Sequence, residues 1–316
     1  MKTILEDRFE HPIFKPLWLQ FTTPSVKQLH QKLKQWIYCG ITGGVIVGDA
    51  RIGKTTAIEI LHNRYTTRSK GQRIHCHRFV VPKRDTPTIA NCLRALYFSA
   101  EFTLGKTKKA DEMSEQLVHY FLDLACENDD KVVLLIVDEF HRLSINQIEV
   151  FAELHDKLRL LNASLHVYLM GNANEAEKLI GASERTEYAH LRGRFFNQKY
   201  YFSGIQNIND LKQCLRMYDV TRYPEETGPT YTEYFLPADF KKGWRLEQQA
   251  KLIWECYSTH RNELSINSWG MKYFVGTVSP LLTDYLPQYS TAQLSRNMVE
   301  KCIEVSGLIP DYVRAT

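Results

Sequence analysis

The chain has 316 residues, 44% of them apolar and 24% charged, with a formal charge of +4. This is ordinary globular usage, long enough for a large core plus a smaller domain, and the mild charge leaves any polyanionic partner to be argued from local clusters. Seven cysteines, odd in number and never at C-x-x-C spacing, argue against a disulfide framework or a zinc site and for a reducing cytoplasm.

The first residues, Met1 to Arg8, carry acids where a signal peptide would be apolar, and the longest clean apolar run, Val132 to Val137, is too short to cross a bilayer. A soluble protein without a membrane partner is expected. Residues 1–40 read as an N-terminal arm and helix. Pro12, Pro16 and Pro24 break the arm, and Phe14, Trp18 and Phe21 anchor it. Thr23-Pro24-Ser25 starts a helix with Leu29, Leu33, Trp36 and Ile37 on one face.

The apolar run Val45-Ile46-Val47 leads into Gly48-Asp49-Ala50-Arg51-Ile52-Gly53-Lys54-Thr55, a G-x-x-x-x-G-K-T turn in strand-turn-helix context. Its glycines let the backbone wrap a phosphate chain, and successive N–H groups with the next helix's positive end supply partial charge. Lys54 would neutralise the β- and γ-phosphates, and Thr55 would place its hydroxyl on Mg²⁺. Binding of a nucleoside triphosphate is the expectation.

Arg68 to Arg84 holds six Lys or Arg and no acid around a strand centred on Ile74 to Val81. His75 and His77 share one face of that strand, but no further ligands lie nearby to make a metal site. A helix bearing Ile89, Leu93, Leu96 and Tyr97 follows, bracketed by the basic clusters Lys83-Arg84 and Lys106 to Lys109. Such clusters suit backbone phosphates of a nucleic acid, and they equally suit a solvated surface. Leu117, Tyr120, Phe121 and Leu124 mark the next helix.

Val132 to Val137 is a buried parallel strand ending in Asp138-Glu139. Asp138 would hold the hydrated metal and Glu139 would polarise a water for attack on the γ-phosphate. A helix through Phe151, Leu154 and Leu158 feeds the strand Leu165 to Met170, after which Asn172 reads as a polar sensor or as a turn-forming residue. Arg194, or Arg192 in reserve, precedes the strand-like Lys199 to Phe202. Either would reach an adjacent subunit's site as an arginine finger or make a local salt bridge. From Ser203 the pattern turns helical, through Ile208 to Tyr218, Leu246 to Tyr257 and Gln293 to Val305, interrupted by an aromatic, Pro-broken insertion at 223–237. Arg296 on the last helix either faces the nucleotide or lies on a helix surface.

Together these imply an α/β P-loop NTPase, a parallel sheet flanked by helices over residues 41–203, with a helical lid over 204–316. Gly48 to Thr56, Val137-Asp-Glu-Phe-His-Arg-Leu143, Met170-Gly-Asn172 and Leu191-Arg-Gly-Arg-Phe195, in that order, resemble the AAA+ ATPases. The Asp-Ala-Arg-Ile interior and the Asp-Glu-x-His-Arg-Leu string look like the TnsC/TniB group of DNA-transposition regulators.

The resemblance implies an ATPase that assembles as a ring or filament on double-stranded DNA. It further implies work with transposase subunits and a TniQ-type target-selection protein, in some systems with a CRISPR complex. It places ATP on the turn from Gly48 to Thr56, Mg²⁺ on Thr55 and Asp138, and hydrolysis on Lys54, Asp138 and Glu139. The sensor falls on Asn172 and the trans-acting arginine on Arg194. It assigns DNA contacts to Lys83, Arg84, Lys106, Lys108 and Lys109. A replication-initiator or loader ATPase shares every motif; a P-loop kinase and a non-hydrolysing nucleotide-gated adaptor are more distant alternatives.

Overall fold

The computed structural model describes residues 10–15, 19–83, 88–103 and 109–313. They fall into two compact units. One comprises Gln28–Ala50 and Lys54–Phe202; the other gathers the described residues of Met1–Lys27, Arg51–Gly53 and Ser203–Thr316.

The first unit is built on five strands: β1 (Gly43–Gly48), β2 (His75–Val80), β3 (Val132–Asp138), β4 (Ser164–Asn172) and β5 (Lys199–Tyr201). All pair in parallel, in the order β2-β3-β4-β1-β5. Among the described residues, the helices of eight residues or more that accompany them are α1 (Pro24–Tyr38, from Gln28 onward), α2 (Lys54–Leu61), α3 (Ile89–Ser99), α4 (Ala110–Cys126), α5 (Ile145–Leu160) and α6 (Ala173–Ala182). This is the α/β P-loop fold expected from the motifs.

Because side chains alternate along a strand, the sheet has two apolar faces. Val45, Phe79, Leu135, Val137 and Val167 share a core with Leu96, Phe121 and Phe151 from α3, α4 and α5. The intervening Ile46, Leu134, Ile136 and Met170 are buried on the other face, where Trp36 of α1 lies 5.2 Å from the ring of Tyr168. β3 is covered on both sides, which is why its sequence reads as an unbroken apolar run. The register sets Gly48 beside Asn172, Asp138 beside Met170 and Val80 beside Asp138. The carboxyl ends of four strands therefore meet on one edge, where open α/β sheets bind their ligands.

The second unit is helical, with α7 (Ile208–Val220), α8 (Tyr231–Phe235), α9 (Pro237–Lys241), α10 (Ala250–Glu263), α11 (Met271–Pro280), α12 (Arg296–Val305) and α13 (Leu308–Val313). Leu215, Tyr257, Trp269 and Phe274 lie in its core, with the Tyr257 and Trp269 rings stacked at 4.2 Å. The helix expected from Leu246 begins as a tight turn, Leu246–Gln249, whose Leu246 and Glu247 N–H groups donate to Asp219 at 3.0 and 2.9 Å. The aromatic insertion is partly helical, since Thr230 and Glu233 form a capping box that starts α8.

That insertion closes around the arm. His11 is fully buried among Tyr223, Tyr231, Tyr234 and Phe235, at ring distances of 4.5–5.0 Å, and its Nδ1 accepts the Ile13 N–H. All seven cysteines are free thiols. Among the described residues no helix is long and apolar enough to cross a membrane.

Burial pushes the His11 imidazole from 6.5 down to about 4, as it does for His77 and His166 in the sheet unit. A histidine held neutral in the folded state contributes stability that is fully present above its unfolded pKa and is lost as pH falls from there toward its folded pKa. Thermal melting is therefore expected to drop between about pH 7 and about pH 5, by roughly 2–4 °C per kcal/mol lost. His11→Phe, which fills the cage without titrating, should flatten that slope for the helical unit; a slope unchanged by the substitution would discount the cage.

Candidate nucleotide-binding site

β1 runs buried to Gly48, and the chain turns through Asp49 to Gly53 before α2 begins at Lys54. Glycine is required at both corners. Gly53 has φ +100°, and a Cβ on Gly48 would fall 2.3 Å from the Phe202 carbonyl oxygen. The first N–H groups of α2 have no carbonyl partner within the helix, so the turn ends in a ready anion site. Ala50 and Arg51 are exposed, Ile52 is buried, and Thr56 is partly covered in the first turn of α2.

The Lys54 ammonium donates to the carbonyl oxygens of Gly48 at 2.8 Å and Asp49 at 2.7 Å. Burial pushes its pKa down, while the carboxylates of Glu139, Asp138, Asp49 and Glu175 pull it up. The lysine is thus held inside the turn by weak acceptors that a phosphate oxygen would replace with charge. The Asp49 carboxylate accepts the Tyr201 hydroxyl at 2.5 Å.

Asp138 ends β3 at 1% exposure. Its Oδ2 accepts the Thr55 hydroxyl at 3.0 Å and the Arg78 guanidinium at 3.0 Å, and its Oδ1 accepts the Glu139 N–H at 2.9 Å. Thr55 and Asp138, 83 positions apart, are thereby in direct contact. A hydroxyl and a carboxylate beside a phosphate-binding turn form an all-oxygen donor set, which fits Mg²⁺.

Glu139 has a left-handed backbone, φ 59°, rare for a residue with a side chain. Its carboxylate pairs with Arg142 at 2.8 Å and lies 3.5 Å from His141 Nε2. Arg142 also donates to the Val81 carbonyl at 2.9 Å, just past the end of β2. His141 reaches Glu175 at 2.9 Å through Nε2 and accepts the Asn172 N–H at 3.3 Å through Nδ1.

The other expected residues have local partners. Asn172 caps α6, its Oδ1 accepting from the N–H groups of Asn174 and Glu175 at 3.0 and 3.3 Å, the local role of a turn-forming residue. Arg194 grips Asp156 at 2.9 and 3.1 Å and the Ala152 carbonyl at 3.2 Å; Arg192 pairs with Glu184 at 3.3 Å. Both are local salt bridges within the sheet unit. Arg296 pairs with Glu300 and Thr259 on a helix surface.

Lys83 and Lys109 are exposed, and Lys109 precedes the first turn of α4. Arg84, Lys106 and Lys108 lie outside the described residues. His75 pairs with Glu127, and His77 bonds Tyr120 and Ser99. Among the described residues no metal-holding cluster of histidine, cysteine or acid is present.

Arg78 has no role in the sequence reading, and His141 and Arg142 enter it only as members of the Asp-Glu-x-His-Arg-Leu string, with no role of their own. Strand alternation offered a signal for the first, since Arg78 faces away from His75 and His77. For Arg142 the signal was its place three residues after Glu139 in a tight turn.

Residues 41–180 match the family model described as an AAA domain. Similar solved structures include the ORC2 protein of Aeropyrum pernix, 14% identical, TM-score 0.47, covering 92% of this chain and 70% of that one. The ORC1 protein of the same organism, in complex with DNA, is 12% identical with a TM-score of 0.48 over 94% and 69% of the two chains. Cdc6p of Pyrobaculum aerophilum is 13% identical with a TM-score of 0.42 over 93% and 85%. No curated protein matches the chain.

The guanidinium of Arg142 occupies the Glu139 carboxylate that would polarise an attacking water. Arg142→Ala is accordingly expected to raise nucleotide hydrolysis in the resting protein by a factor on the order of ten, a fraction of what a general base contributes, with nucleotide affinity unchanged. Single-turnover rates under saturating nucleotide check this, and a slower variant would show that Arg142 supports Glu139 instead of restraining it.

Proposed function

We propose, on the premise that residues 41–180 are an AAA domain of the P-loop type, that this protein is a Mg²⁺-dependent ATPase whose nucleotide state controls its hold on duplex DNA. The contact between Thr55 and Asp138 at 3.0 Å carries the nucleotide half of this reading. It unites the start of α2 with the end of β3, beside Lys54 and Glu139. When bound, the metal supplies charge to the phosphates. Lys54 then leaves its two carbonyls for the phosphate chain, Thr55 and Asp138 hold the metal's shell, and Glu139 orients the attacking water.

Arg194 serves a neighbouring subunit's nucleotide in this reading, which requires it to leave Asp156. Assembly then depends on ATP, because binding to the assembled state alone stabilises that state. The basic residues Lys83, Arg84, Lys106, Lys108 and Lys109 track DNA phosphates, giving attachment that weakens with salt. Hydrolysis removes the intersubunit contact and ends the hold.

Two finer readings share these roles and differ in partner. A transposition regulator, working with transposase subunits and a TniQ-type protein, is supported by the Asp-Ala-Arg-Ile and Asp-Glu-x-His-Arg-Leu strings, and the family match carries it no further. An initiator or loader ATPase shares every motif and is separated from it by partner alone.

DNA retention measured by fluorescence anisotropy, with ATP, ADP or no nucleotide and across a salt series, tests the reading. Lys54→Ala should lose ATP-dependent retention. Glu139→Gln should bind ATP and stay on DNA, hydrolysing at least a hundredfold more slowly, about the worth of a general base. Equal retention with and without nucleotide, or no response to salt, overturns it. Capture of a purified transposase against a purified replicative helicase, each with ATP and DNA, separates the finer readings.

A further inference from the structure

The carboxylate assigned to the metal already carries a cation. Arg78 lies within β2 on the face turned toward α2, and its two terminal nitrogens divide between two acids. One donates to Asp138 Oδ2 at 3.0 Å and the other to Glu59 Oε1 at 2.7 Å. Glu59 follows Thr55 by four positions on α2, which puts the two on one helix face. The arginine therefore spans an acid almost wholly out of water, Asp138 at 1% side-chain exposure, and one at 40%, Glu59. Its Nε is buried and has no acceptor among the described residues.

We propose that Arg78 is a resident counter-cation that competes with the divalent metal for Asp138 Oδ2, and that Glu59 is the carboxylate that retains the guanidinium once Oδ2 is given up. This rests on reading Thr55 and Asp138 as the metal-holding pair. An ionised carboxylate out of water needs a partner of opposite charge, and hydrogen bonds from Thr55 and Glu139 bring none. Arg78 meets that need at 3.0 Å.

The same guanidinium repels a second cation brought to the same oxygen. On metal binding Arg78 yields Oδ2 and keeps its bond to Glu59, so it is neither expelled into water nor left unpaired. A lysine would place one compact charge where a planar fork now holds two carboxylates. Arg78 is thus a positioning residue that sets how much free metal the site requires.

The test is a Mg²⁺ titration of the full chain with a fluorescent ATP analogue, reading bound nucleotide and not turnover. Arg78→Gln should lower the Mg²⁺ concentration for half-maximal binding roughly tenfold, the scale on which groups behind a metal ligand tune affinity. Glu59→Gln, which leaves Asp138 as the arginine's sole acid, should raise it, and the double variant should follow Arg78→Gln. A purely structural arginine predicts a raised requirement in both single variants.

Arg78→Lys keeps a positive charge and carries the test should Arg78→Gln fail to fold; it should lie below wild type while Glu59→Gln lies above. Shifts of the two single variants in the same direction, or an unchanged Arg78 variant, overturn the proposal while leaving nucleotide binding intact. Failure of the wild-type chain to bind the analogue at any Mg²⁺ concentration overturns the nucleotide reading and this proposal with it.

Discussion

The structure turns on a negative charge at the end of an apolar strand. Asp138 closes β3, whose interior is buried on both faces, and at 1% exposure it cannot draw on water for its solvation. Its neighbours must provide that solvation, and they come from three places. Thr55 arrives from the helix that follows β1, Arg78 from β2, and the third donor is the N–H of Glu139. The contacts around this one carboxylate tie α2, β2 and β3 together, and the phosphate-binding turn is set beside Glu139 as a result.

The five residues from Asp138 to Arg142 work as one connector. Phe140 enters the core, leaving so little room that a Cβ on Gly171 would meet its ring at 2.9 Å. His141 joins Glu175 and the Asn172 N–H, tying the end of β4 to this turn. Arg142 joins Glu139 to the exit of β2. Past the left-handed backbone of Glu139, Phe140 and His141 meet the end of β4 and Arg142 meets the exit of β2. Displacement of any one strand end is felt at the carboxylate that would activate water.

Much of this was legible because its causes are local. A glycine-framed turn after an apolar strand, and two acids after another, declare themselves within ten residues or so. The partners of the remaining site residues are distant in sequence. Arg194 was legible as an arginine near the site, yet its contact with Asp156 lies 38 positions away. Charge counting finds six Lys or Arg and no acid from Arg68 to Arg84, whereas packing sorts them. Lys70 pairs with Asp129, Arg73 with Asn63, Arg78 enters the site, and Lys83 remains exposed. Helix α6 and, after residue 270, α11 and α13 were not anticipated, whereas α12 falls within the helix expected over Gln293 to Val305; short helices carry weak periodicity and take their stability from packing. The cage around His11 joins the arm to an insertion more than two hundred positions later, beyond the reach of any pattern in the chain.

The strand order carries a consequence for how the molecule is made. β2, β3 and β4 are neighbours in both sequence and space, so their pairing closes comparatively short loops. β1 is synthesised first yet lies between β4 and β5, with Gly43 opposite Val167. It must wait for both. Loop closure of that length costs entropy that only late contacts return. The turn after β1 is thus walled by strands from distant parts of the chain, and a nucleotide bound there would stabilise the completed fold over states in which those strands are apart.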